Sequence, residues 1–369
     1  MTRLFDQSER TRIAPATHQM GGYEFLNTSA WNSATYVRAL LEEWYDGFPR
    51  DPEFVGNFTS RNNNQHWSAF FELFMFQLFR QCSYDVKYHH PIGTRKVDLL
   101  ADRDQRILLD CTLSGEPNIK QSIATLEKCV LDVVESTPSP KYWICVDFQT
   151  ATSTTPALGK IRKLLSKTVA ILSESDMKDF EIDYEETKWL IKFRFIKKNP
   201  PVARSLGSNS SSQGGGFIDG VSTEVLRSTL NSKRGSSYQI EDSAFIVAIN
   251  TLNPFIDHEV IKQTLFGKPE APDSQFIKDP YFWQNSKPQN TSVSAVLIAK
   301  GLHWSNLGRM ELELWHNPWA RFPISTTALP INQIVPVLGE NNVLLQLDMI
   351  SGNSTGKILG IQTDYLERD

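Results

Sequence analysis

Three acidic residues stand in segments that otherwise exclude charge. Glu72 is the only charged residue in Trp67–Phe79, WSAFFELFMFQLF, while Asp98 sits in KVDLLA and Asp110 in RILLDCTL. An ionised carboxylate is costly to bury alone, so each acid lies at an element's edge, meets a base, or serves a site. Both Asp segments read as strands, and DRDQR at 102–106 reads as the turn between them. Centring that turn on Asp104 sets Asp98 opposite Asp110 and Lys96 opposite Thr112. Residues two apart share a strand face, so all four would share one. Like charges opposed across strands destabilise a hairpin. A divalent cation removes that conflict, and Mg²⁺ is typically held by one or two carboxylates plus substrate phosphate. Such a face could hold the ion, orient water and stabilise a pentacovalent phosphate. The structural alternative is another register, with both acids at solvent-facing strand ends and Lys96 an ordinary strand-end lysine.

Around these residues the pattern predicts helices at 33–46, 66–80, 119–134, 158–173, 222–232 and 257–266. It predicts strands at 85–90, 96–101, 107–113, 142–148, 180–184, 189–196 and 245–250, with a last pair at 293–299 and 311–316. The tail, 324–369, is apolar-rich and reads as mixed β. Ser205–Gly216, SLGSNSSSQGGG, reads as a flexible loop or linker. The fold class is α/β or α+β. The expected organisation is an N-terminal helical extension (1–60), a core (61–200), the linker (201–216) and a C-terminal α/β region (217–369). That last region either completes the core sheet or forms a second domain.

Composition narrows the function classes. Lys plus Arg is 38 against 42 for Asp plus Glu, so any phosphate-binding surface must be local. The four cysteines, Cys82, Cys111, Cys129 and Cys145, form no CxxC pair and suit a reducing cytoplasm better than a disulfide framework or a zinc site. The opening MTRLFDQSER carries no apolar signal core, and no apolar run reaches membrane-helix length. A cytoplasmic chain with no membrane contact is the expectation. No GxSxG elbow and no GxxxxGK[ST] loop occurs, which removes support for serine hydrolysis and for a P-loop ATPase.

Two further groups bear on function. His89 and His90 end a strand bordering the acids and could transfer a proton or bind phosphate; the alternative is a solvated strand-end pair. Residues 188–204 carry six basic residues, including Lys192, Arg194, Lys197 and Lys198, interleaved with Trp189, Phe193 and Phe195. This suits a strand tracking a nucleic-acid backbone. The acidic run Glu174–Glu186 offers the competing reading, a hairpin that pairs the two charged strands. Trp304, Trp315 and Trp319 read as packing for the C-terminal region.

An acid on a long apolar helix, an acid on a strand, then acid-x-polar on the next strand resembles the PD-(D/E)XK nuclease superfamily, the restriction-endonuclease-like fold. Glu72, Asp98 and the triplet Asp110-Cys111-Thr112 carry the resemblance. The wider text is similar to an uncharacterised bacterial group with such a core: FFELFMFQLF, HHP at 89–91, KVDLLA and LLDCTL, then SAFIVAIN before HEVIKQTLFG, and VSAVLI before LWHNPWARFP. It runs from about Asn64 to Pro323.

The resemblance implies a mixed sheet flanked by helices, with α+β elaboration at both ends. It implies Glu72, Asp98 and Asp110 as ligands of Mg²⁺, with Mn²⁺ able to substitute, and the Cys111 carbonyl as an extra ligand. The implied chemistry is phosphodiester hydrolysis, on DNA rather than RNA, with a defence role among its uses and a homodimer or defence partner as its assembly. Val97-Asp98 replaces the family's Pro-Asp, Asp110 replaces the commoner Glu, and Thr112 stands at the usual lysine. The missing lysine would come from Lys96, from Lys120 or Lys128 on the next helix, or, as the weakest candidate, from Lys233. The alternative is a catalytically silent relative that binds nucleic acid or a partner protein.

Overall fold

The longest apolar stretch becomes the longest helix. The computed structural model describes residues 3–368 apart from 116–117, 176, 187, 202–204, 211–218, 234–239, 241, 253–255, 268–279, 285–286 and 340–343. Four helices open the chain: α1 (Gly22–Thr28), α2 (Asn32–Asp46), α3 (Pro52–Phe58) and α4 (Asn63–Gln81). Asp51 caps α3 by accepting from the Glu53 amide, and Pro52 supplies the preset φ of its first turn. Asn62 caps α4 by accepting from the Asn64 amide. Apolar residues surround α4, and Phe70, Phe71, Leu73, Phe74, Leu78 and Phe79 are fully buried. Sequence periodicity did not single out α1 and α3, each seven residues long.

The chain divides into two compact units. The first comprises residues 1–14, 21–115 and 219–369, and the second 15–20 and 116–218. The unit boundaries thus fall near 115 and 219, beside expected divisions after 60, 200 and 216.

In the first unit, α4 is followed by β1 (Asp85–Ile92), β2 (Arg95–Asp102) and β3 (Ile107–Ser114). The second unit holds α5 (Asn118–Glu135), β4 (Tyr142–Thr150), α6 (Leu158–Ser175), β5 (Asp179–Glu186), β6 (Trp189–Lys197) and β7 (Leu206–Ser210). The chain returns to the first unit with α7 (Asp219–Ser232), β8 (Ala244–Thr251), α8 (His258–Phe266), β9 (Trp283–Gln284), β10 (Lys287–Pro288), β11 (Ala295–Lys300), β12 (Leu312–His316), β13 (Asn332–Leu338), β14 (Leu344–Ile350) and α9 (Thr355–Leu359). The first unit's large mixed sheet has the order β1-β2-β3-β8-β11-β12-β13-β14. Strand β8 pairs parallel to β3, so the region after the Ser/Gly-rich segment completes the sheet.

Every residue of β8 is buried, as a central parallel strand covered on both faces requires. Leu226 and Leu230 of α7 and Val260, Ile261 and Leu265 of α8 join Phe245, Val247 and Ile249 of β8 in one core. Trp315 is fully buried there, and Trp304 is buried with its ring stacked on Phe25, 5.0 Å away. Trp319 is half-buried against the same core.

In the second unit the sheet order is β5-β6-β4-β7. The start of the Ser/Gly-rich segment is a strand, which corrects its reading as a loop, while 211–216 lie outside the described residues. The reason is close approach. A Cβ at Gly207 would come within 2.7 Å of Cys145 Sγ, so only glycine lets this edge strand seat beside β4.

Candidate functional site

Strands β2 and β3 pair with Leu99 opposite Leu109, Leu100 opposite Leu108 and Ala101 opposite Ile107. This is the register obtained by centring the turn on Asp104, and Asp98 and Asp110 come together. The Asp98 carboxylate Oδ2 accepts the Cys111 amide at 2.6 Å, just beyond the last ladder pair. A side chain thus takes the place of a strand carbonyl, and Asp98 is fixed against β3. Asp110 lies close enough to Asp98 to help raise its carboxyl.

Helix α4 delivers the third acid. Glu72 is half-buried and its Oε2 accepts from the Tyr88 hydroxyl at 2.9 Å. Burial raises the Glu72 carboxyl to about 7, with Asp110 adding to the rise, while the Tyr88 hydroxyl and Lys233 oppose it. Burial raises Asp98 to about 8, reinforced by Glu72 and then Asp110. Burial, then Asp98 and Glu72, hold the Cys111 thiol well above its ordinary value, so it stays a neutral thiol.

The positive group is Lys233. It lies just past the end of α7, and its Nζ meets Asp110 Oδ1 at 2.8 Å. Burial alone would lower the Lys233 ammonium, but Asp110, with help from Asp98, outweighs it and raises the group above its ordinary value. The weakest of the four lysine candidates in the sequence is therefore the one that reaches the acids.

Lys96 does not take that place. It is exposed beside the β1–β2 turn, opposite Pro91, and the described ladder between β2 and β3 stops short of it. The physical reason is the Asp98 carboxylate, which captures the next β3 amide. Thr112 is half-buried and pairs with Ile249 of β8 rather than with Lys96. Lys128 is exposed on α5 of the second unit; Lys120 lies on the same helix, its side chain outside the described residues.

His89 stacks on Tyr88 and lies 3.5 Å from Asp51, and burial lowers its imidazole below the usual range. His90 is half-buried opposite Val97. Tyr88 and Asp51 were missed in the sequence. A tyrosine in a half-polar strand carries no signal of its own, and Asp51 reads as nothing beyond a helix cap.

The proposed phosphate-tracking strand resolves into the charge-paired hairpin. In β5 and β6, Glu181 lies opposite Arg194 and Asp183 opposite Lys192. Glu181 meets Arg194 at 2.9 Å and Lys192 at 3.6 Å. Lys198 is buried, donates to the Ser139 carbonyl and lies over the Trp143 ring. Lys197 is exposed at the strand end. Two of the four residues expected to bind nucleic acid are therefore paired to acids, and a third packs inside. Trp189, Phe193 and Phe195 are fully buried in this unit's core and offer no stacking surface.

The donor set at the acids is all oxygen and suits Mg²⁺ or Mn²⁺. Two raised carboxyl groups beside a third acid are what a divalent cation would relieve. Among the described residues, no group of three or more His, Cys, Asp and Glu side chains is placed so that it could hold a metal ion. The Lys233 ammonium on Asp110 offsets part of the negative charge. Among the described residues no helix is long and apolar enough to cross a membrane. Comparison with family models, curated proteins and solved structures returns no match.

Proposed function

We propose that the chain is a metal-dependent phosphodiesterase of the restriction-endonuclease-like kind, acting on nucleic acid and on DNA before RNA. The observation that carries this reading is that Glu72, Asp98 and Asp110, from a helix and two strands, lie near enough to perturb one another, with Lys233 on Asp110. Glu72, Asp98 and Asp110 would hold Mg²⁺ or Mn²⁺, the Cys111 carbonyl adding a ligand by analogy. The ion supplies charge neutralisation and a more acidic bound water. The protein groups do the rest. Asp98 and Asp110 would orient the ion, and Lys233 offers an ammonium to the charge that builds on phosphate oxygens. Lys233 thereby fills the role that Thr112 cannot, since a hydroxyl carries no charge.

A second reading has its own support. The Lys233–Asp110 ion pair already balances charge, as it would in a silent nuclease-like binding protein. The deciding experiment is incubation of supercoiled plasmid, linear duplex, single-stranded DNA and RNA with Mg²⁺, Mn²⁺ or EDTA, wild type beside Asp98→Ala. Metal-dependent cutting that Asp98→Ala abolishes is the expected result. No cutting with any metal, together with no Asp98-dependent thermal stabilisation by Mn²⁺, would transfer the case to the silent reading.

A further inference from the structure

Strand β1 is kinked at His89. Its φ is 51°, a left-handed conformation inside a strand, where only glycine is free of strain. The flanking pairs, Tyr88 with Leu99 and His90 with Val97, set His89 opposite Asp98. In a regular strand Tyr88 and His89 would point to opposite faces. The kink instead stacks their rings, with centroids 3.8 Å apart and planes 20° from parallel. From that stack the Tyr88 hydroxyl reaches Glu72 Oε2 at 2.9 Å. Asp51 and Phe48 lie on the far side of the stack. His89 Nδ1 lies 3.5 Å from Asp51 Oδ2, and the Phe48 ring packs 4.5 Å from Tyr88.

A left-handed non-glycine residue costs free energy and persists where its surroundings impose it, often at functional sites. Here its geometric product is definite: one oxygen of Glu72 is held by the Tyr88 hydroxyl. Glu72 sits on a helix and has rotamer freedom of its own, so a fixed donor decides where its carboxylate points.

We propose that Tyr88 and His89 are positioning residues for Glu72: the kink at His89, held by Asp51, stacks His89 under Tyr88, and the Tyr88 hydroxyl aims the Glu72 carboxylate at the ion and phosphate. This rests on the three carboxylates being the working site, and it adds two residues that the acid pattern does not contain.

The test reads Mn²⁺ binding by calorimetry on the full chain without nucleic acid, for wild type, Tyr88→Phe, His89→Gly, Glu72→Gln and the double variant Tyr88→Phe/Glu72→Gln. Thermal melts accompany each. Tyr88→Phe should weaken Mn²⁺ binding about tenfold, the scale of one hydrogen bond to a charged group. That loss should vanish in the Glu72→Gln background, which a general packing defect would not do. His89→Gly should weaken Mn²⁺ binding, because glycine accepts the left-handed backbone but removes the ring stacked on Tyr88. Unchanged Mn²⁺ affinity in both single variants, or no Mn²⁺ binding by wild type, overturns the inference. Cleavage is read separately. A wild type that binds Mn²⁺ through the Tyr88–Glu72 pair but cuts no nucleic acid would sink the nuclease reading and leave the positioning inference standing.

Discussion

Replacing Lys233 by Met isolates the charge balance of the acidic site. Asp110 is 1% exposed, and its ion pair with Lys233 spans 2.8 Å. The Lys233 side chain is 30% exposed, so the pair lies between the buried and surface regimes. Breaking a buried pair costs about 3–5 kcal/mol and a surface pair about 0–1, which places this loss near 2 kcal/mol at pH 8 in EDTA. Methionine keeps the length of the aliphatic stem, so the lost charge dominates. Two treatments should restore the stability. Lowering the pH to 6 lets the carboxyl cluster take up a proton, and millimolar Mn²⁺ supplies the missing charge by binding the folded state. The assay is urea unfolding at pH 6 and pH 8, with EDTA or Mn²⁺, for wild type and Lys233→Met. A penalty of the same size under all four conditions would refute the reasoning, because it would mean that Lys233 contributes packing alone. If the nuclease reading holds, the same variant loses roughly 10²–10³-fold in turnover, the effect of deleting one preorganised positive donor.

Three further outcomes follow from the same geometry. Asp98 is raised to about 8 from an ordinary 3.8, so the folded chain binds more protons than the unfolded one within that window and loses stability as pH rises through it. Between pH 6.5 and 8 the apo protein should lose about 2 kcal/mol by urea unfolding; Asp98→Asn should flatten the slope, and an equally steep slope in the variant would refute the assignment. His66 is fully buried with its Nε2 unpartnered, and burial lowers its imidazole to about 4; burial, then His66, does the same to His303. Such depressed histidines charge more readily in the unfolded chain, so stability falls as pH drops from about 6.5 to 4; His66→Phe should remove about 2 kcal/mol of that acid loss, read as the difference between the two proteins at pH 7 and pH 4.5. Arg194→Ala and Lys192→Ala should each change stability by under about 1 kcal/mol and leave nucleic-acid affinity within twofold in a fluorescence titration, since both side chains already face Glu181. A tenfold loss of affinity would reinstate that strand as a binding surface.

What the sequence determined was local. Apolar periodicity set the strands around Asp98 and Asp110, and a five-residue turn set their register, because a two-residue side-chain period allows few alternatives. The solitary charge in an apolar helix marked Glu72, because burial makes such a charge costly wherever the helix lies. The acidic run before Trp189 foretold the hairpin, since opposite charges pair across neighbouring strands. The rest depended on partners far along the chain. Lys233 meets Asp110 across 123 positions of sequence, because β8 returns to pair with β3 after the second unit is complete. Nothing local to Lys233 distinguishes it from the lysines that stay exposed. The strand at 206–210 was illegible for the same reason: its composition reads as loop, and only the approach of Cys145 explains why glycine serves there. The kinked His89 likewise meets Tyr88 and Asp51, and Tyr88 meets Glu72, groups whose spacing in sequence carries no period. Secondary structure follows from short-range sterics and burial pattern, whereas a lysine's partner or a tyrosine's target is chosen only when distant strands close the sheet.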